Sequence, residues 1–276
     1  MELTICCKPL FTGEPVHLGG GSWKAALRWL TPPQAGPGLC GPSREERMLA
    51  KEFLVPAEAE RYRSFYRNAE RQRELLHTRL LAKRFIRGYL EENRGMSVRH
   101  DRDIALLQEE RGDRRGNPYL SIAGCPDNSG LSVSLAHCSR LLGAAVGEHC
   151  QVGIDVEPIR PVGKGFPALF LIPEEQELMR SAFGPLAFEE QCLLMWCLKE
   201  AAGKALGTGW ARGFSSLRFR PAGNSGRVGL KLHPELERYA PKPPAQGTLY
   251  YDVRDGICGA VCLLYPVRQG GSRESI

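Results

Sequence analysis

The sequence predicts an α/β (α+β) fold built from two similar halves, on three observations. First, one order of elements occurs twice: strand, helices, strand, then a close pair of strands. Second, the hydrophobic period switches between that of a helix and that of a strand along the chain. Third, 276 residues with 42% hydrophobic and 25% charged side chains are the composition of a globular protein with a sizeable core. The repeat divides the chain into residues 1–149 and 150–276.

In the first half, Met1 to Pro9 reads as a short strand. Residues 31–43 are rich in Gly and Pro and read as an irregular loop without an assigned role. Val55-Pro56-Ala57-Glu58 is a helix start with Pro in the first turn. A second, longer helix is predicted over Ala69–Leu90, where Leu76, Leu80, Lys83 and Arg87 alternate with Leu75, Arg79, Ala82 and Ile86. Strands are predicted over Ile104–Gln108, Leu131–Leu135 and Leu141–Val146. The second half repeats this with strand Val152–Val156, helices Pro173–Met179 and Leu186–Leu206, and strands Leu217–Arg220, Val228–Leu232, Thr248–Val253 and Cys258–Leu264. The polar tail from Gln269 to Ile276 is expected to fray.

The bulk properties narrow the function classes. No run of about 18 apolar residues exists, so no membrane helix is expected. The N-terminus shows no secretory pattern. Ten cysteines without a zinc-finger CxxC pair predict buried, reduced thiols, hence a reducing, cytoplasmic setting, and a monomer is expected. A net charge of +6 suits an anionic partner. Nucleic acid ranks last among such partners, because basic residues are interleaved with acids, as in Arg44-Glu45-Glu46-Arg47, and aromatics are only 8%.

Three segments carry chemistry. In Gly153-Ile154-Asp155-Val156-Glu157, strand alternation puts Asp155 and Glu157 on one face and Ile154 and Val156 in the core. Paired carboxylates at that spacing repel unless a cation lies between them, and hard oxygen donors suit magnesium; a solvated strand face is the alternative. In Trp196-Cys197-Leu198-Lys199-Glu200-Ala201-Ala202-Gly203-Lys204, the residues Trp196, Glu200 and Lys204 form one helix stripe, which an ordinary surface ion pair would also produce. In Ser132-Val133-Ser134-Leu135-Ala136-His137, the histidine follows a strand and opens the turn to Leu141. It is either a polar loop residue or, when protonated, a cationic phosphate contact.

Together VGIDVEPIRP, WCLKEAAGKALGTG and SLAH resemble the Sfp-type 4′-phosphopantetheinyl transferases. LVPAEAERYRSFYRNAERQRELLHTRLLAKRFI and RGNPYL extend the resemblance over Phe53 to Val267. It implies two pseudo-symmetric subdomains with the active site in the cleft between them. It also implies a holo-[acyl-carrier-protein] synthase activity, in which phosphopantetheine moves from coenzyme A to a serine of an acyl or peptidyl carrier protein and 3′,5′-ADP is released. By the same resemblance Asp155, Glu157 and Glu200 bind Mg²⁺, and Glu200 acts as base. Lys204 reaches a phosphate, with Lys199 assisting. His137 meets the 3′-phosphate, and Arg61 and Arg73 are candidates for the same end.

The sequence departs from the family pattern at Asn117, where Lys or Arg is usual, at Glu58, where some members are basic, and at Ala136, where many have Ser. A non-catalytic coenzyme A or carrier-protein binding module of the same fold is the alternative reading. The sequence leaves open whether the carrier serves fatty-acid, polyketide or nonribosomal-peptide synthesis, or lysine metabolism.

Overall fold

The computed structural model describes residues 16–18, 21–29, 42–125, 130–138, 141–209, 214–221, 227–240, 245–254 and 256–266. The expectations for Met1 to Pro9, residues 31–41 and the tail lie outside them.

Strands β1 (Val16–Leu18), β2 (Gly21–Trp29), β5 (Leu131–Cys138) and β6 (Leu141–Glu148) form an antiparallel sheet in the order β1-β2-β6-β5. Strands β3 (Ile104–Gln108) and β4 (Pro118–Ile122) pair separately. The second sheet runs β7-β11-β10-β9-β8, from β7 (Gln151–Pro158), β8 (Leu217–Pro221), β9 (Arg227–Leu232), β10 (Ala245–Arg254) and β11 (Ile257–Pro266). Helices α1 (Arg44–Phe53), α2 (Pro56–Ser64) and α3 (Ala69–Arg94) precede β3, while α4 (Pro173–Ala182) and α5 (Phe188–Leu206) precede β8. A short α6 (Pro234–Glu237) follows β9. The duplication is thus visible as topology: β2, β6 and β5 adjoin in the first sheet as β7, β11 and β10 do in the second. Each half sends its long helix, α3 or α5, across its sheet.

Side-chain parity explains the layering. On β5, Val133 faces α3 and packs with Phe85, Ile86 and Tyr89, while Ala136 lies in a second cluster on the other face. That second cluster joins Ala136, Leu141 and Ala145 of the first sheet to Val152, Ile154 and Val156 of β7 and to Val261 and Leu263 of β11. The halves therefore share an apolar core between their sheets, and burial of this surface holds them together. Serine hydroxyls stitch the contact. Ser134 Oγ accepts the Ile154 N–H at 3.0 Å, and Ser132 Oγ accepts the Val152 N–H at 3.1 Å while donating to the Cys150 carbonyl at 2.7 Å. These bonds satisfy backbone donors of β7.

The opposite face of β7 is covered by α5. Gly153 makes this approach possible, since a Cβ there would lie 1.9 Å from the Ala201 carbonyl oxygen. Asp155 shares that face, so the acidic face of the strand is buried under a helix and is not a solvated one.

A buried ionic knot secures the first half. Glu58 accepts from Lys83 Nζ at 2.6 Å and from the backbone N–H groups of Val55 and Leu106 at 3.0 and 3.1 Å, and Arg79 Nε lies 3.6 Å away. Glu58 and Lys83 are 3% and 0% exposed, so the family departure at Glu58 places a carboxylate whose work is to tie α2, α3 and β3 together. Helix α1 begins with a capping box in which Ser43 and Glu46 exchange hydrogen bonds of 3.0 and 2.7 Å. Among the described residues all seven cysteines are free thiols, and Cys192, Cys197, Cys258 and Cys262 are buried. No described helix is long and apolar enough to cross a membrane.

Candidate active site

A cavity of about 470 Å³ opens where the halves meet. Its walls come from α2 and its C-cap (Arg61, Phe65), α3 (Arg71, Thr78, Arg79), the β3–β4 loop (Arg115, Asn117), β5 (Ser134, His137), and the last turn of α5 with the residues just after it (Lys204, Thr208). The lining is strongly basic. Arg79 is 5% exposed, and its Nε is buried without a hydrogen bond. Burial lowers its pKa to about 10, Glu58 opposes that shift, and Arg61 adds to it. Arg61 is likewise lowered, by burial and then by Arg71. Cations crowded into one cleft repel each other, and an anionic ligand relieves that repulsion.

Lys204 forms the link from this cavity to the acidic strand. Its Nζ donates to Asp155 Oδ1 at 2.6 Å, while Asp155 Oδ2 is buried without a hydrogen bond. Burial works against the charge on Lys204, but Asp155 and then Glu200 outweigh it, so the lysine pKa rises. The Asp155 carboxyl is pushed up by burial in spite of Lys204. The αL cap at Gly207, φ 72°, ends α5 one turn beyond Lys204 and turns the chain into Thr208 and Gly209 at the cavity wall. Glu200 is buried one turn earlier on α5. Glu157, on the same face of β7 as Asp155, accepts from Cys138 Sγ at 2.9 Å and lies 3.5 Å from Arg160. Among the described residues no group of three or more His, Cys, Asp or Glu gathers closely enough to hold a metal ion.

Residues 151–240, which include β7, α5 and both acidic motifs, match the family described as the 4′-phosphopantetheinyl transferase superfamily. This segment is similar to that superfamily. A 4′-phosphopantetheinyl transferase, HetI of Nostoc sp. (strain PCC 7120 / SAG 25.82 / UTEX 2576), is 35% identical over 105 residues, 36% of this chain and 42% of that protein. The chain thus spans less than half the length of this relative. Among solved structures, a holo-ACP-synthase from Plasmodium yoelii covers 43% of this chain and 95% of its own at 12% identity and a TM-score of 0.35, a likeness too remote to build on.

The structure sorts the cationic residues that the superfamily resemblance singled out. Arg61, His137 and Lys204 line the cavity. Arg73 does not; its Nε donates to Glu46 at 2.6 Å and ties α3 to α1. Lys199 does not either. It is 0% exposed, and its ammonium donates to Glu175 at 2.7 Å and to the carbonyls of Phe214 and Leu217 at 2.9 and 3.1 Å. All three ammonium donors are thereby engaged away from the cleft.

His137 also differs from expectation. It lies within β5, which continues to Cys138, and it is no turn-opening residue. Arg71 Nη1 is 2.9 Å from its Nε2. A guanidinium has no acceptor, so Nε2 must offer its lone pair and the ring is neutral. Burial, then Arg71, Lys204 and Arg79, lower its pKa to about 4.

Three cavity arginines, Arg71, Arg79 and Arg115, are absent from the sequence-based site. Arg71, Leu75 and Arg79 form one i, i+4, i+8 stripe of α3, a signal present in the sequence. Arg115 stands two residues before Asn117, the position where the family is usually basic, and both line the cavity.

Proposed function

We propose that the chain is an Sfp-type 4′-phosphopantetheinyl transferase that moves the phosphopantetheine arm of coenzyme A to a serine of an acyl or peptidyl carrier protein. The observation that carries the reading is the basic cavity between the halves, whose Lys204 is anchored on Asp155 of the V-G-I-D-V-E strand. Coenzyme A is a polyanion, and Arg61, Arg79 and Lys204 offer it charge-assisted hydrogen bonds. In the same reading residues 1–149 and 150–276 are the two subdomains, and the cleft between them is the active site.

The donor types suit magnesium, although Asp155, Glu157 and Glu200 do not gather closely enough to hold an ion in this structure and would have to draw together around it. Asp155, Glu157 and Glu200 supply hard carboxylate oxygens, and the buried Asp155 Oδ2 lacks any hydrogen bond. These three residues would hold the ion, with Lys204 giving up part of its contact with Asp155. Bound there, magnesium would neutralise charge on the phosphates and on the leaving 3′,5′-ADP.

The chain's own groups account for the rest. Glu200 takes the proton of the carrier serine. The serine oxygen forms a bond to the β-phosphorus of coenzyme A, and the bond from that phosphorus to the oxygen bridging to 3′,5′-ADP breaks. Lys204 steadies the phosphate oxygens from α5. Carrier domains tend to be acidic, and the +6 charge of the chain suits their encounter.

The test is incubation with coenzyme A, Mg²⁺ and a panel of apo carrier proteins, read by intact mass. Addition of one phosphopantetheine to a carrier, lost in EDTA and in Glu200→Ala, is the expected result. Tight coenzyme A binding with no product on any carrier would replace the enzyme by a binding module of the same fold.

A further inference from the structure

The β3–β4 hairpin belongs to neither large sheet, and its loop crosses from the first half to the second. The base of the loop is closed by the Gly116 N–H on the Glu109 carbonyl at 2.7 Å and the Glu109 N–H on the Asn117 carbonyl at 3.0 Å. Gly112 and Gly116, at φ 76° and 88°, make the reversals that project its tip. There Asp113 accepts from the Tyr239 hydroxyl at 2.8 Å, and that hydroxyl accepts from Arg238 at 2.6 Å. Arg238 and Tyr239 come directly after α6, in the second half.

Arg114 makes the second contact. Its guanidinium lies against Gly207, the αL residue that ends α5, where a Cβ would stand 2.6 Å from Arg114 Nε. The glycine therefore serves twice, as helix cap and as a flat seat. The carbonyl end of α5 favours a cation at this place. Gln151, the first residue of β7, completes the seat. With its amide oxygen turned to Arg114 it accepts from Nη2 at 3.0 Å, and its nitrogen donates to the Ala205 and Tyr239 carbonyls at 3.1 and 3.3 Å. Arg114 Nε stays buried without a hydrogen bond. Such a donor regains water on release, so the contact is easily opened.

The contact joins two parts of the cavity wall. Arg115, Gly116 and Asn117 of the loop line one, and Gly207, Thr208 and Gly209 line the other. Arg115 and Lys204 bring positive charge to the same space, so their repulsion opposes closure and an anion between them favours it. We infer that Arg114 is a positioning residue: seated on the end of α5 and steadied by the Asp113–Tyr239 bond, it holds the hairpin against the second half, and its release lets the anionic ligand enter and leave. The apolar core between the sheets stays closed throughout. The inference rests on the coenzyme A reading above for its ligand, but not for the contact itself.

The experiment measures association and dissociation rates of coenzyme A by stopped flow, beside unfolding midpoints. A wall that must open for passage in either direction limits both rates. Tyr239→Phe and Arg114→Gln should therefore raise both, by about threefold to tenfold, the range for one hydrogen bond, with Kd changed less than either rate. Arg114→Lys, which keeps the charge at the end of α5, should lie between them and wild type. A direct contact with the ligand would raise dissociation alone, and that result overturns the inference. So do two rates equal to those of wild type.

Trypsin gives a readout without ligand. Cleavage after Arg114, identified by fragment mass, should be faster in Tyr239→Phe than in wild type, and coenzyme A should slow it in both. If wild type binds no coenzyme A, the functional reading falls, and cleavage after Arg114 still decides the contact: equal rates in wild type and Tyr239→Phe overturn it. Tyr239→Phe removes a single oxygen atom, so it carries the test if Arg114→Gln fails to fold.

Discussion

Lys204 of α5 and Asp155 of β7 meet at 2.6 Å across the helix–sheet contact of the second half, at the floor of the basic cavity. The pair joins two motifs that lie 49 residues apart in the chain. Lys204→Met leaves a buried carboxylate without its counter-charge, and such a break costs about 3 kcal/mol. Asp155→Asn in the same chain removes that stranded charge. In urea unfolding the double variant is expected to be more stable than Lys204→Met alone. Equal stabilities would mean that the ion pair is not what holds these residues.

His137 gives a prediction in pH. Its pKa is lowered to about 4 from an ordinary value near 6.5, so the folded protein binds fewer protons than the unfolded chain between those values. The contribution of this group to stability is therefore complete above about pH 6.5 and is lost as pH falls toward 4. In NMR titration the His137 ring, assigned by its loss in His137→Gln, should show no protonation step from pH 8 to 5.5, with the proton on Nδ1. A midpoint near 6.5 would contradict the Arg71 contact.

Part of this site was legible in the chain because local periodicity carries it. The two-residue period places Asp155 and Glu157 together wherever β7 lies, and the four-residue stripe does the same for Glu200 and Lys204 on α5. What faces each stripe is a tertiary fact. Arg71 and Arg73 are two residues apart, hence about 200° apart around α3, and only the packing of α1 against the helix decides which one sees the cavity. Lys199 and Lys204 diverge by about 140° on α5 for the same reason. The neutral state of His137 depends on Arg71, 66 residues away. Strand β2 was illegible for another cause. Its Lys24-Ala25-Ala26-Leu27 run is rich in helix formers, and pairing with β6 overrides that preference. The capping box of Ser43 and Glu46 was a local signal for α1 that sequence reading passed over.

Gly153 tests the helix–strand approach. A methyl group there would have to displace the Ala201 carbonyl and the Ala205 N–H, both backbone atoms of α5. Neither can move without shifting the whole helix, so Gly153→Ala is expected to destabilise by about 3 kcal/mol or more, the upper range for overpacking. The measurement is the denaturant midpoint at unchanged slope. A midpoint like that of wild type would show that α5 can stand off from β7.

Glu58 separates a structural from a ligand-binding role in the first half. Removing its carboxylate strands Lys83, which is 0% exposed, and Arg79. Glu58→Ala should cost about 3–5 kcal/mol. Glu58→Gln combined with Lys83→Met should recover much of this by removing the charge left behind. Unfolding curves of the two variants decide it, and an unperturbed Glu58→Ala would show that this carboxylate does not hold α2, α3 and β3 together.

Lys199 stands beside Glu200 in the chain, yet its ammonium is turned to Glu175 of α4 and to the turn before β8. If it holds those elements, Lys199→Met strands Glu175, whose Oε1 already lacks a hydrogen bond, and stability falls by about 3–5 kcal/mol. Glu175→Gln added to Lys199→Met removes the buried charge, so the two changes should be strongly non-additive, by about 1–3 kcal/mol. Coenzyme A affinity, measured on the folded double variant, should match wild type, since neither side chain lines the cavity. A phosphate contact would give the reverse pattern: lost affinity on Lys199→Met, unchanged unfolding, and no rescue by Glu175→Gln.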